Sequence, residues 1–135
     1  MKRIFLDTNI LVDYALGREH GDDAEQLLQH GKNGELSLAA SYLTFANMAY
    51  ILNGKVDIYG LFNELHSYIA VLPMDDAQLV AAMEQRVRDF EDMLQYQCAN
   101  AAGCDVIVTN NGKDFAEFSD LPLMTAEEFL TDLCK

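Results

Sequence analysis

Short apolar runs alternate with stretches of helical periodicity along almost the whole chain. Arg3-Ile4-Phe5-Leu6 reads as a strand that stops at Asp7. Ile10, Leu11, Tyr14 and Ala15 then share one face of a helix over Thr8 to Leu16, which Gly17 ends. Ala24, Leu27 and Leu28 mark a second helix over about Gly21 to His30, and Glu35 to Ala40 reads as a second strand. Tyr42 to Leu52 is apolar almost all round, which predicts a buried helix, closed by Asn53-Gly54. Val56 to Tyr68 is a further helix and Ile69 to Met74 a third strand. Asp75 starts a helix with Leu79, Val80 and Met83 as its stripe, and another runs from Asp89 to Ala102 before Gly103. Asp105 to Thr109 has the Val-Ile-Val core of a strand buried on both faces. Asn110-Asn111-Gly112 is a turn. Leu121 to Met124 is a last strand, and Thr125 with Glu128 opens a C-terminal helix through a capping box. Pro73 and Pro122 flank apolar runs, as befits strand ends or sheet edges.

This alternation predicts an α/β sandwich around a mostly parallel sheet of about five strands. No linker, repeat or low-complexity tract interrupts it, so residues 1–135 read as a single domain. Half the residues are hydrophobic, which argues against disorder. Charge changes the picture more. Nine Lys+Arg face 22 Asp+Glu, a net charge of -13, so a broad basic surface for nucleic acid is excluded. A polyanionic substrate would need a metal ion or a local basic patch. Three cysteines without CxxC spacing give neither a disulfide framework nor a zinc signature. The first apolar run is cut by Asp7, and the apolar region Leu43 to Leu52 is too short to span a bilayer. The expected setting is therefore the reducing cytoplasm, without a membrane.

Ligands of parallel α/β sheets collect beyond the carboxyl ends of the strands, so polar residues there carry the interest. Asp7 follows the first strand; it suits a helix N-cap, although Thr8 could cap instead and leave Asp7 facing the crevice. Asn47 is the only amide or acid in its apolar helix and must find a partner or a polar cleft; Thr44 points the same way. Asp89, Glu91 and Asp92 crowd one helix start. Asp89 suits the N-cap and Asp92 the N3 position, yet this is more acid than a start needs. Phe90, Met93 and Leu94 are expected to face the core, leaving Asp92 and Tyr96 on a neighbouring stripe. Thr109 and Asp114 lie at and just past the end of the fourth strand, in the same zone as Asp7. Lys2, Arg3, Arg86, Arg88 and Lys113 are the cations available to rim the crevice. His20, His30 and His66 show no ligand spacing, and Cys98 and Cys104 read as small core residues. GxSxG, GxGxxG and GxxxxGK[ST] are missing, which removes the signals for a serine hydrolase, a dinucleotide site and a P-loop.

Three blocks, Phe5-Leu6-Asp7-Thr8-Asn9-Ile10-Leu11, Asp89-Phe90-Glu91-Asp92-Met93-Leu94-Gln95 and Ile107-Val108-Thr109-Asn110-Asn111-Gly112-Lys113-Asp114-Phe115, occur in the order and spacing that resemble the PIN domain family of metal-dependent nucleases. The resemblance spans nearly the whole chain. It implies a three-layer α/β/α sandwich and a cluster of acids that hold Mg²⁺ or Mn²⁺. It also implies hydrolysis of RNA to 5′-phosphate and 3′-hydroxyl ends. By position it assigns Asp7, Asp92 and Asp114 as metal ligands, with Asn47, Thr109 and Asn111 completing the catalytic set. Asn47 and Asn111 stand where the family usually has acids, which leaves open a PIN-fold binding or regulatory module with weakened catalysis. Many bacterial members are toxins of toxin–antitoxin pairs. The resemblance therefore implies RNA as substrate, an antitoxin protein as partner, and a homodimer. The stripe Ile58, Tyr59, Leu61, Phe62 and Leu65 is the expected interface region.

Overall fold

A computed structural model describes all residues from Met1 to Lys135. In chain order the elements are β1 (Arg3–Leu6), α1 (Thr8–Leu16), α2 (Gly21–Lys32), β2 (Ser37–Ser41), α3 (Tyr42–Ile51), α4 (Ile58–His66) and β3 (Ile69–Leu72). They continue with α5 (Asp76–Gln85), α6 (Phe90–Ala101), β4 (Val106–Val108), α7 (Gly112–Ala116), β5 (Leu123–Met124) and α8 (Ala126–Leu133). The strands form one sheet in the order β3-β2-β1-β4-β5, and every pairing is parallel. Pro73 and Pro122 flank β3 and β5, the two edge strands, where a missing N–H costs no ladder bond.

The period-2 alternation of a strand divides the apolar residues between two cores. Ile4, Leu6, Leu38, Ala40, Val106 and Val108 point to one face, where α1, α2, α3 and α8 cover them. Phe5, Ala39, Leu72 and Ile107 point to the other, against Met93, Tyr96, Cys98 and Ala99 of α6, Ala82 of α5 and Phe115 of α7. Helices on both faces of an all-parallel sheet make the α/β sandwich that the pattern predicted, in the three layers that the resemblance implied. Gly17 closes α1 in the left-handed region at φ 61°, and its N–H donates to the carbonyls of Asp13 and Tyr14.

Several elements depart from the sequence expectation. Residues 42–52 are not buried all round. Thr44, Met48 and Leu52 pack inward at helical spacing, but Tyr42 is 62% and Tyr50 87% exposed. An all-apolar helix pattern does not separate core from uncovered surface. Leu79, Val80 and Met83 are likewise exposed, because α5 lies at the outer side of α6 and meets it through the small residue Ala82. Phe90 is 40% exposed rather than in the core. The stripe of α4 is divided: Leu65 is buried, Ile58, Leu61 and Phe62 are half-buried against the first core, and Tyr59 is exposed. Residues 110–112 do turn, but Gly112 then starts the short helix α7, which the Asn-Gly stop signal concealed.

Candidate active site

The strand order reverses at β1. The chain lays β2 and β3 on one side and returns to place β4 and β5 on the other. Such a switch leaves a crevice beyond the carboxyl ends of the two central strands. Asp7 follows β1 and Thr109 follows β4, so both arrive there. The Asp7 N–H donates to the Val108 carbonyl at 3.0 Å, which ties the two strand ends together. Both carboxylate oxygens of Asp7 are held: Oδ1 accepts from the Thr8 N–H and Oδ2 from the Thr109 hydroxyl, each at 2.8 Å. Asp7 is therefore the N-cap of α1 and a crevice residue at once. Thr8 is not the cap; it is the first helical residue, and its hydroxyl accepts from Gln95 Nε2 at 3.4 Å.

Asp92 comes from the opposite layer. Asp89 caps α6 by accepting the Asp92 N–H at 3.1 Å, and this fixes where the first turn of the helix points its acids. The result is an open notch of about 400 Å³ lined by Asp7, Asn47, Asp89, Glu91, Asp92, Asn111 and Asp114, with Thr8, Asn9, Tyr50 and Ile51 at its walls. Five of the six predicted site residues line it. Thr109 is the sixth and lies beneath: it is buried, donates to Asp7, and accepts the Asn111 N–H at 3.0 Å. Asp13, one face further along α1, accepts from Asn110 Nδ2 at 3.3 Å and holds the loop that carries Asn111.

Two expectations about the cleft fail. Thr44 does not face it, and Tyr96 is buried, with its hydroxyl accepting the Asp120 N–H at 3.3 Å. Thr44 belongs instead to a buried polar knot below the notch. Gln95 is 1% exposed; its Nε2 donates to Thr44 Oγ1 at 2.9 Å and its Oε1 accepts from the Ser41 hydroxyl. One side chain thus joins α6, the start of α3 and the start of α1, the three elements that carry Asp92, Asn47 and Asp7. Glu91 was also not among the predicted site residues. It accepts from Asn47 Nδ2 at 2.7 Å, so the place of a missing acid on α3 is met by an acid from α6. The acid run 89–92 was the available signal for Glu91; nothing local marks Gln95.

The electrostatics are those of a crowded anionic pocket. Burial raises the Asp7 pKa above its ordinary value, opposed by the Thr109 and Thr8 hydrogen bonds and reinforced by Glu91 and Asp114. The Asp92 pKa is pushed up to about 8, first by burial and then by Asp89, Asp7 and Asp114. None of the molecule's ion pairs, at Arg18, His30 and Lys32, touches the notch acids. No group of three or more His, Cys, Asp or Glu side chains is gathered in a geometry that would hold a metal ion by itself. The donor set nevertheless suits a hard cation: Mg²⁺ is typically held by one or two carboxylates, with water and substrate phosphate as its other ligands. An open notch lined by several carboxylate and amide oxygens offers donors of that chemical kind.

The sequence matches the PIN domain family model over residues 3–113, which covers the first two blocks, the third as far as Lys113, and every residue of the notch save Asp114. The chain belongs to the PIN domain family. Ribonuclease VapC1 of Aquifex aeolicus (strain VF5) is 25% identical to this PIN domain over 140 residues, covering 95% of this chain and 93% of that protein. The fold is shared with solved structures. VapBC2 from Rickettsia felis, bound to a DNA fragment from its promoter, superposes with a TM-score of 0.66 at 24% identity, covering 91% of this chain and 98% of that one. VapC20 of Mycobacterium tuberculosis, a sarcin-ricin loop cleaving toxin, gives 0.67 at 15% identity over 86% of this chain and 95% of its own. No helix of this PIN domain is long and apolar enough to cross a membrane.

Proposed function

We propose that this PIN domain is a divalent-metal-dependent endoribonuclease and the toxin of a toxin–antitoxin pair. The observation that carries the reading is the notch itself, which gathers Asp7, Asp89, Glu91, Asp92 and Asp114, and in which burial and the neighbouring acids raise the pKa values of Asp7 and Asp92. The names of the relatives, a ribonuclease and VapBC complexes, point the same way.

A bound Mg²⁺ or Mn²⁺ would supply charge withdrawal from a phosphoryl oxygen and a more acidic water. Asp7, Asp92 and Asp114 are the side chains that would hold it. The protein's own contribution is placement. Thr109 and the Thr8 N–H fix both oxygens of Asp7, so the carboxylate meets the ion without losing rotamer freedom at that moment. Burial and the neighbouring acids raise the Asp92 pKa, and a cation held there would favour its ionised form. Asn47 and Asn111 offer neutral oxygens or donors to the substrate backbone.

The test is RNA cleavage by the purified chain in Mn²⁺ or Mg²⁺. Asp7→Asn and Asp92→Asn should each lower the rate by more than about 100-fold while the circular dichroism spectrum is kept. Cleavage unaffected by EDTA would defeat the reading.

A weakened binding module is the second reading, favoured by the amides at 47 and 111. Asn47→Asp separates the two. It should tighten Mn²⁺ binding by calorimetry and raise a feeble cleavage rate if the amide limits the metal, and do neither if the Asn47–Glu91 contact already serves. For partners, the exposed Tyr42, Tyr50 and Tyr59 on α3 and α4 provide an uncovered aromatic face, and a homodimer or an antitoxin segment is proposed to cover it.

A further inference from the structure

The acids of the notch repel the very polyanion that the proposed reaction requires. The structure contains a neighbouring feature that answers this. A second notch of about 500 Å³ abuts the first and shares Asp89 and Asp114 with it. Its other side presents Arg88, Lys113 and Phe90, above a floor that includes Phe118. Of the cations that the sequence offered for the rim, Lys2 and Arg3 lie at the start of β1, the far end of the sheet, and Arg3 donates to the Ala102 carbonyl. Arg86 ends α5 in the left-handed region and lines neither notch. Arg88 and Lys113 alone gather here, from the α5–α6 loop and from α7. Neither is spent in an ion pair, although Asp89, Asp114 and Glu117 share the notch. The Asp89 carboxylate is turned to its capping bond.

Phe90 lines the same notch from the first position of α6, 40% exposed. Phe118 below it is fixed by Tyr96 and Phe115, with ring centroids 5.6 and 5.9 Å away. An accessible aromatic ring flanked by free cations is what an unpaired nucleotide needs: the base stacks on the ring and the phosphate meets the charges. A paired base has no free face to give. We infer that this second notch is a nucleotide subsite for single-stranded RNA, in which Arg88 and Lys113 hold a phosphate next to the one cut and Phe90 stacks its base. The inference rests on the nuclease reading of the first notch for its substrate, and assigns the residues that position the strand beside the cut.

The test uses the Asp7→Asn chain in EDTA, where binding is read without cleavage and part of the repulsion is gone. Affinity for a short labelled oligouridylate is measured by fluorescence anisotropy across a salt series. Removing both cations from that one phosphate by Arg88→Ala with Lys113→Ala should flatten the slope of log K against log salt by about 0.7, the value for one phosphate of a single strand. Lys55→Ala with Lys135→Ala, cations remote from both notches, should leave the slope in place. Phe90→Ala should weaken binding by roughly 5- to 100-fold, and Phe90→Tyr should restore it. A duplex of the same length should bind equally well with or without Phe90. No measurable binding of the single strand, equal slopes in the two double variants, or an unchanged affinity in Phe90→Ala would overturn the subsite. Failure of the nuclease reading is a separate result: the parent chain with Asp7 intact would then leave RNA uncut in Mn²⁺, whatever the anisotropy shows.

Discussion

Two clusters of carboxylates show opposite uses of the same chemistry. On the α1–α2–α4 side, Glu64 accepts from the Tyr14 hydroxyl at 2.8 Å and from Lys32 Nζ at 3.1 Å. Lys32 also lies 5.2 Å from the centre of the Tyr68 ring. Every charge there has a partner within the chain, and the outcome is a crosslink between helices. Burial and the Glu64 carboxylate push the Tyr14 pKa up to about 12, so its proton stays in the bond. At the carboxyl edge of the sheet, Asp7, Asp89, Glu91, Asp92 and Asp114 share one notch with no ion-paired cation. Asp7 and Asp89 cap helices and Glu91 bonds Asn47, but crowding the acids together raises the pKa values of Asp7 and Asp92 and costs stability where they ionise. Paired acids hold a structure together; on the proposed reading, acids without an ion-pair partner are free to meet a ligand.

The comparison is broken most severely from below. Gln95→Ala removes the amide that joins Ser41, Thr44 and Thr8, and leaves buried hydroxyls without a partner. Chemical denaturation should register a loss of about 2–3 kcal/mol. Activity should fall further than stability explains, because the elements carrying Asp7, Asn47 and Asp92 lose their common tie. Equal stability in Gln95→Ala and wild type would show the knot to be dispensable.

The acid cluster predicts a pH dependence of unusual sign. In the unfolded chain an aspartate titrates near 3.9, whereas Asp92 in the fold titrates at about 8. Between those values the folded state keeps a proton that the unfolded state has lost. Stability of the metal-free protein should therefore decline as pH rises from about 4 to about 8 and level off above. Asp92→Asn should remove most of that decline and stabilise the metal-free protein at pH 8 by about 1–2 kcal/mol, a figure discounted for the solvent that screens a half-exposed group. Denaturation at fixed ionic strength across this range checks it; a wild-type profile parallel to that of Asp92→Asn would contradict it.

The smallest effect belongs to the paired cluster. Glu64→Gln keeps the Tyr14 hydrogen bond and loses only a surface ion pair, so it should cost less than about 1 kcal/mol and leave cleavage untouched. A large effect on cleavage would show that the two clusters are not independent.

The strands, their parallel order and most of the notch were legible in the sequence for a physical reason. Buried parallel strands are short apolar runs, and the residue after each run lands at the carboxyl edge, so Asp7 and Thr109 were placed by pattern alone. Asp92 was reached through the excess of acid at a helix start. What stayed hidden depends on distant partners. Gln95 is one amide in a mixed helix, and its meaning lies in Ser41, Thr44 and Thr8. The Asn47–Glu91 bond joins α3 to α6 across the pocket. The exposure of Tyr50 and Phe90 follows from which neighbours happen to cover a helix, a matter of packing that hydrophobicity does not encode.

The central claim is that the notch acids await a divalent cation, and thermal melting at pH 8 with increasing Mn²⁺ tests it most directly. A ligand that binds only the folded state raises the midpoint as its concentration passes its dissociation constant. The wild-type midpoint should climb steadily with Mn²⁺ through the millimolar range, while Asp7→Asn combined with Asp92→Asn should start higher and stay flat. A wild-type midpoint that ignores Mn²⁺, or a double variant that climbs with it equally, would contradict the account.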